Sequence, residues 1–144
     1  MTKEITNVYV LDTSALMAFL QSEAGSDTVR DLLKQAYTKN VSILVSFMTF
    51  MEIYYITLRK HGENEAKEGL RFLNSSPLLR IESEEDTGII ASEIKSKYSL
   101  SVADAWIVAL AKEHNAILVH KDPEFDQVES EIRMLKLPYK PKNP

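Results

Sequence analysis

Cysteine is absent from this 144-residue chain, glycine occurs only 4 times, and no apolar stretch approaches the length of a membrane-spanning helix. Without cysteine there are no disulfides and no thiolate metal sites, which fits a reducing compartment. A spanning helix needs about 20 consecutive apolar residues, so no membrane segment is expected. The opening MTKEITNVYVLD lacks the basic, apolar and small-residue order of a secretory signal. Together these absences set the expectation of a cytoplasmic protein with no membrane partner. Positive charge is scarce as well: 17 Lys and Arg stand against 21 Asp and Glu, a net charge of −4. That argues against broad electrostatic capture of nucleic acid, although a bound metal ion would invert the sign locally.

What is present suits one soluble globular domain, with 44% hydrophobic and 26% charged residues. Strand and helix patterns alternate throughout. Short runs rich in β-branched residues at 8–11, 42–45, 78–81, 117–119 and 132–135 read as buried strands. Between them, helical spacing predicts helices over 15–20, from Gly25-Ser26 onward with Val29, Leu32, Leu33 and Ala36, over 47–59 with His61-Gly62 as stop, over 64–73, from about 82–86 to 97, and from Ser101 to about His114-Asn115. Such alternation implies an α/β sandwich on a mostly parallel sheet of about five strands. No repeat or linker interrupts it, so the reading is a single domain over 1–136. A tail over 137–144, holding three of the five prolines, follows as an extended arm.

Three apolar runs each contain one charged residue, and each time it is an acid: Asp12 within 5–20, Glu52 within 41–58 and Asp104 within 98–111. Burying an unpaired carboxylate costs several kcal/mol, and no Lys or Arg lies within these runs to pair with them. Convergence on an exogenous cation is the economical solution. A fourth acid, Asp122, follows the run 116–119. Both Asp12 and Asp122 stand just past the carboxyl end of an expected strand, where α/β sheets bind ligands. Carboxylate oxygens are hard donors suited to Mg²⁺ or Mn²⁺.

Each acid also has a plainer reading. Asp12 suits an N-cap, Asp104 the third position of a capping box opened by Ser101, and Asp122 before Pro123 a turn. Glu52 has none, being mid-helix between Met51 and Ile53. His61 and His114 read as helix C-terminal residues. The aromatic and Met-rich helix around Phe47, Met48, Phe50, Met51, Tyr54 and Tyr55 reads mostly as core.

The segments VYVLDTSAL, FMTFMEIYY, SLSVADAWIVALA and ILVHKDPEF, in this order and spacing, resemble the four motifs of PIN-domain ribonucleases, and within them the VapC-type toxins of toxin–antitoxin pairs. The likeness spans about 8–135. It implies a PIN-like three-layer α/β/α sandwich and a divalent-metal-dependent endoribonuclease that cuts RNA to leave 5′-phosphate and 3′-hydroxyl ends. It maps the family acids onto Asp12, Glu52, Asp104 and Asp122, and a metal-proximal hydroxyl onto Ser14. Asp12, Asp104 and Asp122 are then metal ligands, with Glu52 either a ligand or the group that positions water. Where relatives commonly carry Thr or Ser two residues before the last acid, this chain has His120, which makes Asp126 a substitute candidate for the fourth acid. Arg59, Lys60, His120 and Lys121 are candidate RNA contacts. The implied partners are RNA, an antitoxin and a second copy of the chain, the last two meeting the apolar helix surface. A haloacid-dehalogenase-like phosphatase would need an acid where Ser14 stands, and a receiver domain an acidic pair after the first strand. The remaining alternatives are a non-catalytic PIN-like RNA-binding module and a housekeeping RNA-processing nuclease.

Overall fold

The computed structural model describes residues 7–141. Strand β1 (Asn7–Leu11) lies at the centre of a sheet between β2 (Val41–Ser46) and β4 (Ile117–His120), with β3 (Leu79–Ile81) beside β2 and β5 (Arg133–Lys136) beside β4. Every pairing is parallel, so the order β3-β2-β1-β4-β5 gives an all-parallel five-stranded sheet, more uniform than the mostly parallel one expected.

Parallel strands need helical crossovers, and the side-chain period of two decides which face each residue covers. Leu11, Ile43, Val45 and Val119 point to one face, where they pack with α1 (Thr13–Leu20), α2 (Ser26–Tyr37), α3 (Phe47–His61) and α4 (Glu63–Ser75). Val10, Leu44 and Leu118 point to the other, against α5 (Glu85–Lys97) and α6 (Val102–Glu113). The central strands are thus apolar on both sides, which is why they read as continuous runs. The chain forms the three-layer α/β/α sandwich that the sequence implies. No helix of the described residues is long and apolar enough to cross a membrane.

Local chemistry sets the helix starts. Asp12, Ser46 and Ser101 cap α1, α3 and α6 through side-chain oxygens that accept backbone N–H groups. Gly62 (φ +92°) ends α3 and opens α4 directly, fulfilling the His61-Gly62 stop.

The tail is tied down at its first residue. Leu137 is 3% exposed within the core, and its N–H donates to the His120 carbonyl at 2.8 Å. It seats on Gly25, where φ is +99° and an added Cβ would stand 2.9 Å from the Leu137 Cβ. Residues 142–144 of that tail lie outside the described residues. Gly25→Ala is therefore expected to destabilise the protein by about 1–3 kcal/mol through backbone strain and collision, lowering the melting temperature by several degrees. Thermal unfolding of the two proteins checks this, and an unchanged melting temperature would refute the Leu137 seat.

Candidate metal centre

In a sheet of this order the crossover direction reverses between β1 and β4, and the carboxyl ends of those two strands flank a crevice. Asp12 follows β1 and Asp122 follows β4. Helix α6 runs back toward the start of β4, so its first turn, with Asp104, reaches the same edge. Glu52 stands in the second turn of α3, the helix that leaves β2. Asp12, Glu52, Asp104 and Asp122 accordingly line one cavity of about 520 Å³, with Ser14, Ser101, Lys60 and Lys121.

Hydrogen bonds fix each acid. Asp12 is 3% exposed, and its Oδ2 accepts from the Ser14 N–H at 2.9 Å and the Ser14 hydroxyl at 2.5 Å. Ser14 Oγ in turn accepts the Lys121 N–H at 2.9 Å, and the Asp12 N–H donates to the Val119 carbonyl at 3.0 Å. The ends of β1 and β4 are thereby stitched together through the acid. No protein group among the described residues donates to Asp12 Oδ1, so capping and a ligand role occupy different oxygens. Glu52 Oε1 accepts from the Thr13 hydroxyl at 2.8 Å, and that hydroxyl lies 3.2 Å from Thr49 Oγ1, one turn earlier on α3. The Asp104 N–H donates to Ser101 Oγ at 3.1 Å, the first half of a capping box. Asp122 Oδ1 accepts the Glu124 N–H at 2.9 Å, starting a 3-10 turn over Pro123–Val128.

One carboxylate of the cluster was not foreseen. Oxygens of Asp104, Asp122 and Glu124 all lie within 4.8 Å of one another. Glu124 sits in an exposed turn, and its sequence signal is only its place two residues after Asp122. Thr13, which holds Glu52, is the other missed group, and its signal was an ordinary helix start.

Among the described residues, no Lys, Arg or His forms an ion pair with Asp12, Glu52, Asp104 or Asp122. Burial pushes the Asp12 carboxyl up to about 6, against the pull of its Ser14 hydrogen bonds, with Glu52 and Asp122 adding like-charge repulsion. Burial also pushes Asp104 up to about 7, reinforced by Asp12 and Asp122. A set of hard oxygen donors, some without protein partners and short of positive charge, fits Mg²⁺ or Mn²⁺.

Other expected residues lie differently. Asp126 accepts from Tyr139 at 2.7 Å and pairs with Lys136 at 2.8 Å, outside the cavity lining. Those partners hold its carboxyl below the usual range. His120, a candidate RNA contact, is fully buried, which removes it from any RNA surface. Its Nδ1 accepts the Asp122 N–H at 3.2 Å, and Phe125 packs 4.9 Å from its ring. Burial lowers its pKa to about 4, so it is neutral at pH 7 with the proton on Nε2, which finds no acceptor among the described residues. Lys121 is also buried, its Nζ donating to the Ala24 carbonyl at 2.9 Å with Glu23 at 3.6 Å. Arg59 lies over the Tyr55 ring at 5.3 Å, and Lys60 alone of the four candidate contacts reaches the cavity as an exposed cation.

Fold and site together define an α/β protein with an acidic cavity at its sheet reversal point, suited to a hard divalent cation. The family follows from comparison: a model of the PIN domain matches residues 9–131, and the chain belongs to the PIN-domain family. No curated relative matches by sequence. Among solved structures, VapBC2 from Rickettsia felis, bound to a DNA fragment from its promoter, is 18% identical with a TM-score of 0.75, covering 91% of this chain and 99% of that one. DNA-bound VapBC from Salmonella typhimurium is 15% identical with a TM-score of 0.74, covering 92% and 98%. VapC20 from Mycobacterium tuberculosis, described as a sarcin–ricin loop cleaving toxin, is 15% identical with a TM-score of 0.66, covering 83% and 94%. At such identities the likeness shows a shared fold.

Raised carboxyl pKa values have a thermodynamic consequence. A native state that binds protons more tightly than the unfolded chain loses stability as pH rises from the unfolded value through the folded one. For Asp12 that window runs from 3.8 to about 6, and for Asp104 from 3.8 to about 7. Metal-free protein is therefore expected to lose about 2–4 kcal/mol over the Asp12 window. Asp12→Asn removes that contribution, so chemical denaturation of both proteins between pH 4 and pH 7 checks it. Parallel pH profiles would overturn it.

Proposed function

We propose that the protein is a divalent-metal-dependent endoribonuclease and the toxin of a toxin–antitoxin pair. The observation that carries this reading is the gathering of Asp12, Glu52, Asp104 and Asp122 around one cavity, where among the described residues none of the four is ion-paired with a Lys, Arg or His. Membership of the PIN-domain family supports nuclease chemistry, and RNA is the substrate that the resemblance implies. The fold shared with the VapBC complexes supports an antitoxin partner.

In this reading Asp12, Asp104 and Asp122 would hold Mg²⁺ or Mn²⁺, and Glu124, within 4.8 Å of Asp104 and Asp122, would be close enough to join those two. The metal supplies acidification of water and neutralisation of charge on the phosphodiester. Thr13 holds one oxygen of Glu52, which leaves the other to orient the attacking water. Ser14 keeps Asp12 turned toward the cavity and is a positioning residue. Lys60 offers a phosphate contact at the rim. Met51, Tyr55 and Leu58 are exposed along one stripe of α3 at 63%, 37% and 42%. That apolar face suits the antitoxin and a second copy of the chain.

Asp12→Asn and Asp104→Asn are expected to lower RNA cleavage by at least about a thousandfold, the several kcal/mol that metal-borne charge stabilisation supplies. The fold should persist, since Asn caps α1 as well as Asp, and α6 is capped by Ser101 through the backbone N–H of residue 104. Purified protein with labelled RNA in Mg²⁺, in Mn²⁺ and in chelator, beside both variants, is the test. Cleavage that survives in chelator, or equally in both variants, would refute the reading. The antitoxin assignment has its own check: a small DNA-binding protein encoded beside this chain should co-purify with it and block cleavage.

Metal binding should also stabilise the native state, by about 2.7 kcal/mol when free metal is a hundredfold above its Kd. A Mn²⁺ titration should raise the melting temperature of the protein and leave that of Asp104→Asn nearly unchanged. An equal response from both would place the ion elsewhere.

A further inference from the structure

The segment after β5 has no part in the site as described, yet Tyr139 and Lys140 line the same cavity as Asp12, Asp104 and Asp122. We propose that these two residues form a nucleotide-binding subsite beside the metal centre, with Tyr139 as a stacking surface for a base and Lys140 as a contact for its phosphate. The proposal rests on the nuclease reading and names the part of the site that grips the strand.

An acidic cavity repels the polyanion it must receive. Strand binding in such a place depends on cations at the rim and on aromatic faces that accept any base. Lys121 cannot serve as a free cation, being buried against the Ala24 carbonyl. Lys140 can. Its side chain is 69% exposed, and among the described residues its ion-pair partner is Glu23 at 3.1 Å. Glu23, the less exposed partner at 24%, also stands 3.6 Å from the Lys121 ammonium, so it keeps a cation beside it when Lys140 turns to a phosphate.

Tyr139 is held ready. Its hydroxyl donates to Asp126 at 2.7 Å, and its ring packs on the buried His120 with centroids 6.0 Å apart. Pro138 precedes it, Pro141 follows Lys140, and Leu137 is locked into the core. A segment with restricted φ and a buried anchor has little entropy left to lose on binding. These residues also lie beyond 9–131, the stretch matched by the family model.

The test uses full-length protein with Mg²⁺ and two probes, adenosine 5′-monophosphate and ribose 5-phosphate, titrated by NMR or calorimetry. Neither contains a phosphodiester bond, so binding is read independently of cleavage. Wild type should prefer the nucleotide by about tenfold, within the range of one base–aromatic stack. Tyr139→Phe should keep that preference, because the ring remains. Tyr139→Leu should abolish it, and Lys140→Ala should weaken both probes alike. Equal binding of the two probes to wild type overturns the proposal. So does a Tyr139→Phe variant as impaired as Tyr139→Leu, since the side chain would then act only as a pin on Asp126. If Tyr139→Leu unfolds, the wild-type preference and the response of Tyr139→Phe still decide. RNA cleavage by a protein whose KM ignores Tyr139→Leu sinks the subsite alone. Tyr139-dependent nucleotide binding by a protein that cuts no RNA sinks the nuclease reading alone.

Discussion

The carboxylates at the end of β1 and around it repel one another, and among the described residues none of them is ion-paired with a protein cation. Much else in the structure is arranged to withstand that repulsion. Asp12 is the sharpest case: it is buried, pushed toward neutrality, and restrained by two hydrogen bonds from Ser14. Ser14 passes the load to the backbone of Lys121, and so to the end of β4. Thr13 does the same for Glu52, with Thr49 beside it. A network this satisfied holds charge in place at a cost to stability that an apolar edge would not carry, and such sites are commonly functional.

The sheet order makes this arrangement possible. Four separate elements contribute one acid each, and none is neighbour in sequence to another. Only at a reversal point do two adjacent parallel strands send their following segments to opposite faces, leaving space between them. The sandwich supplies rigidity from its two apolar layers, and the edge between the layers is where polar groups gather.

Much of this was legible in the chain. Elements emerged clearly because doubly covered strands are continuously apolar and the helices keep strong periodicity. The lone acids stood out for the same reason, each being the only charge in its run. What escaped was whatever depends on contact between distant segments. The burial of His120 follows from Phe125 and Tyr139 closing over it, and nothing in the letters around it says so. Lys121 looked like a surface cation until the Ala24 carbonyl took its ammonium group. Glu124 was concealed by the opposite circumstance, since an acid in a polar turn carries no signal of its own. The anchoring of the proline-rich tail was hidden because Leu137 fits a niche that exists only where Gly25 lacks a side chain.

The strand order carries a consequence for the birth of the protein. Among the five strands of the sheet β1 leaves the ribosome first, but its neighbour β4 only fourth. Until residues near Asp122 emerge, the cavity lacks a wall, and Asp12 lacks the backbone that braces it through Ser14. At a synthesis rate of about 5–20 residues per second, a nascent chain spends several seconds with its early acids exposed and unassembled. A protein with the activity proposed above would thus remain harmless to the machinery producing it until the residues around Asp122 have emerged.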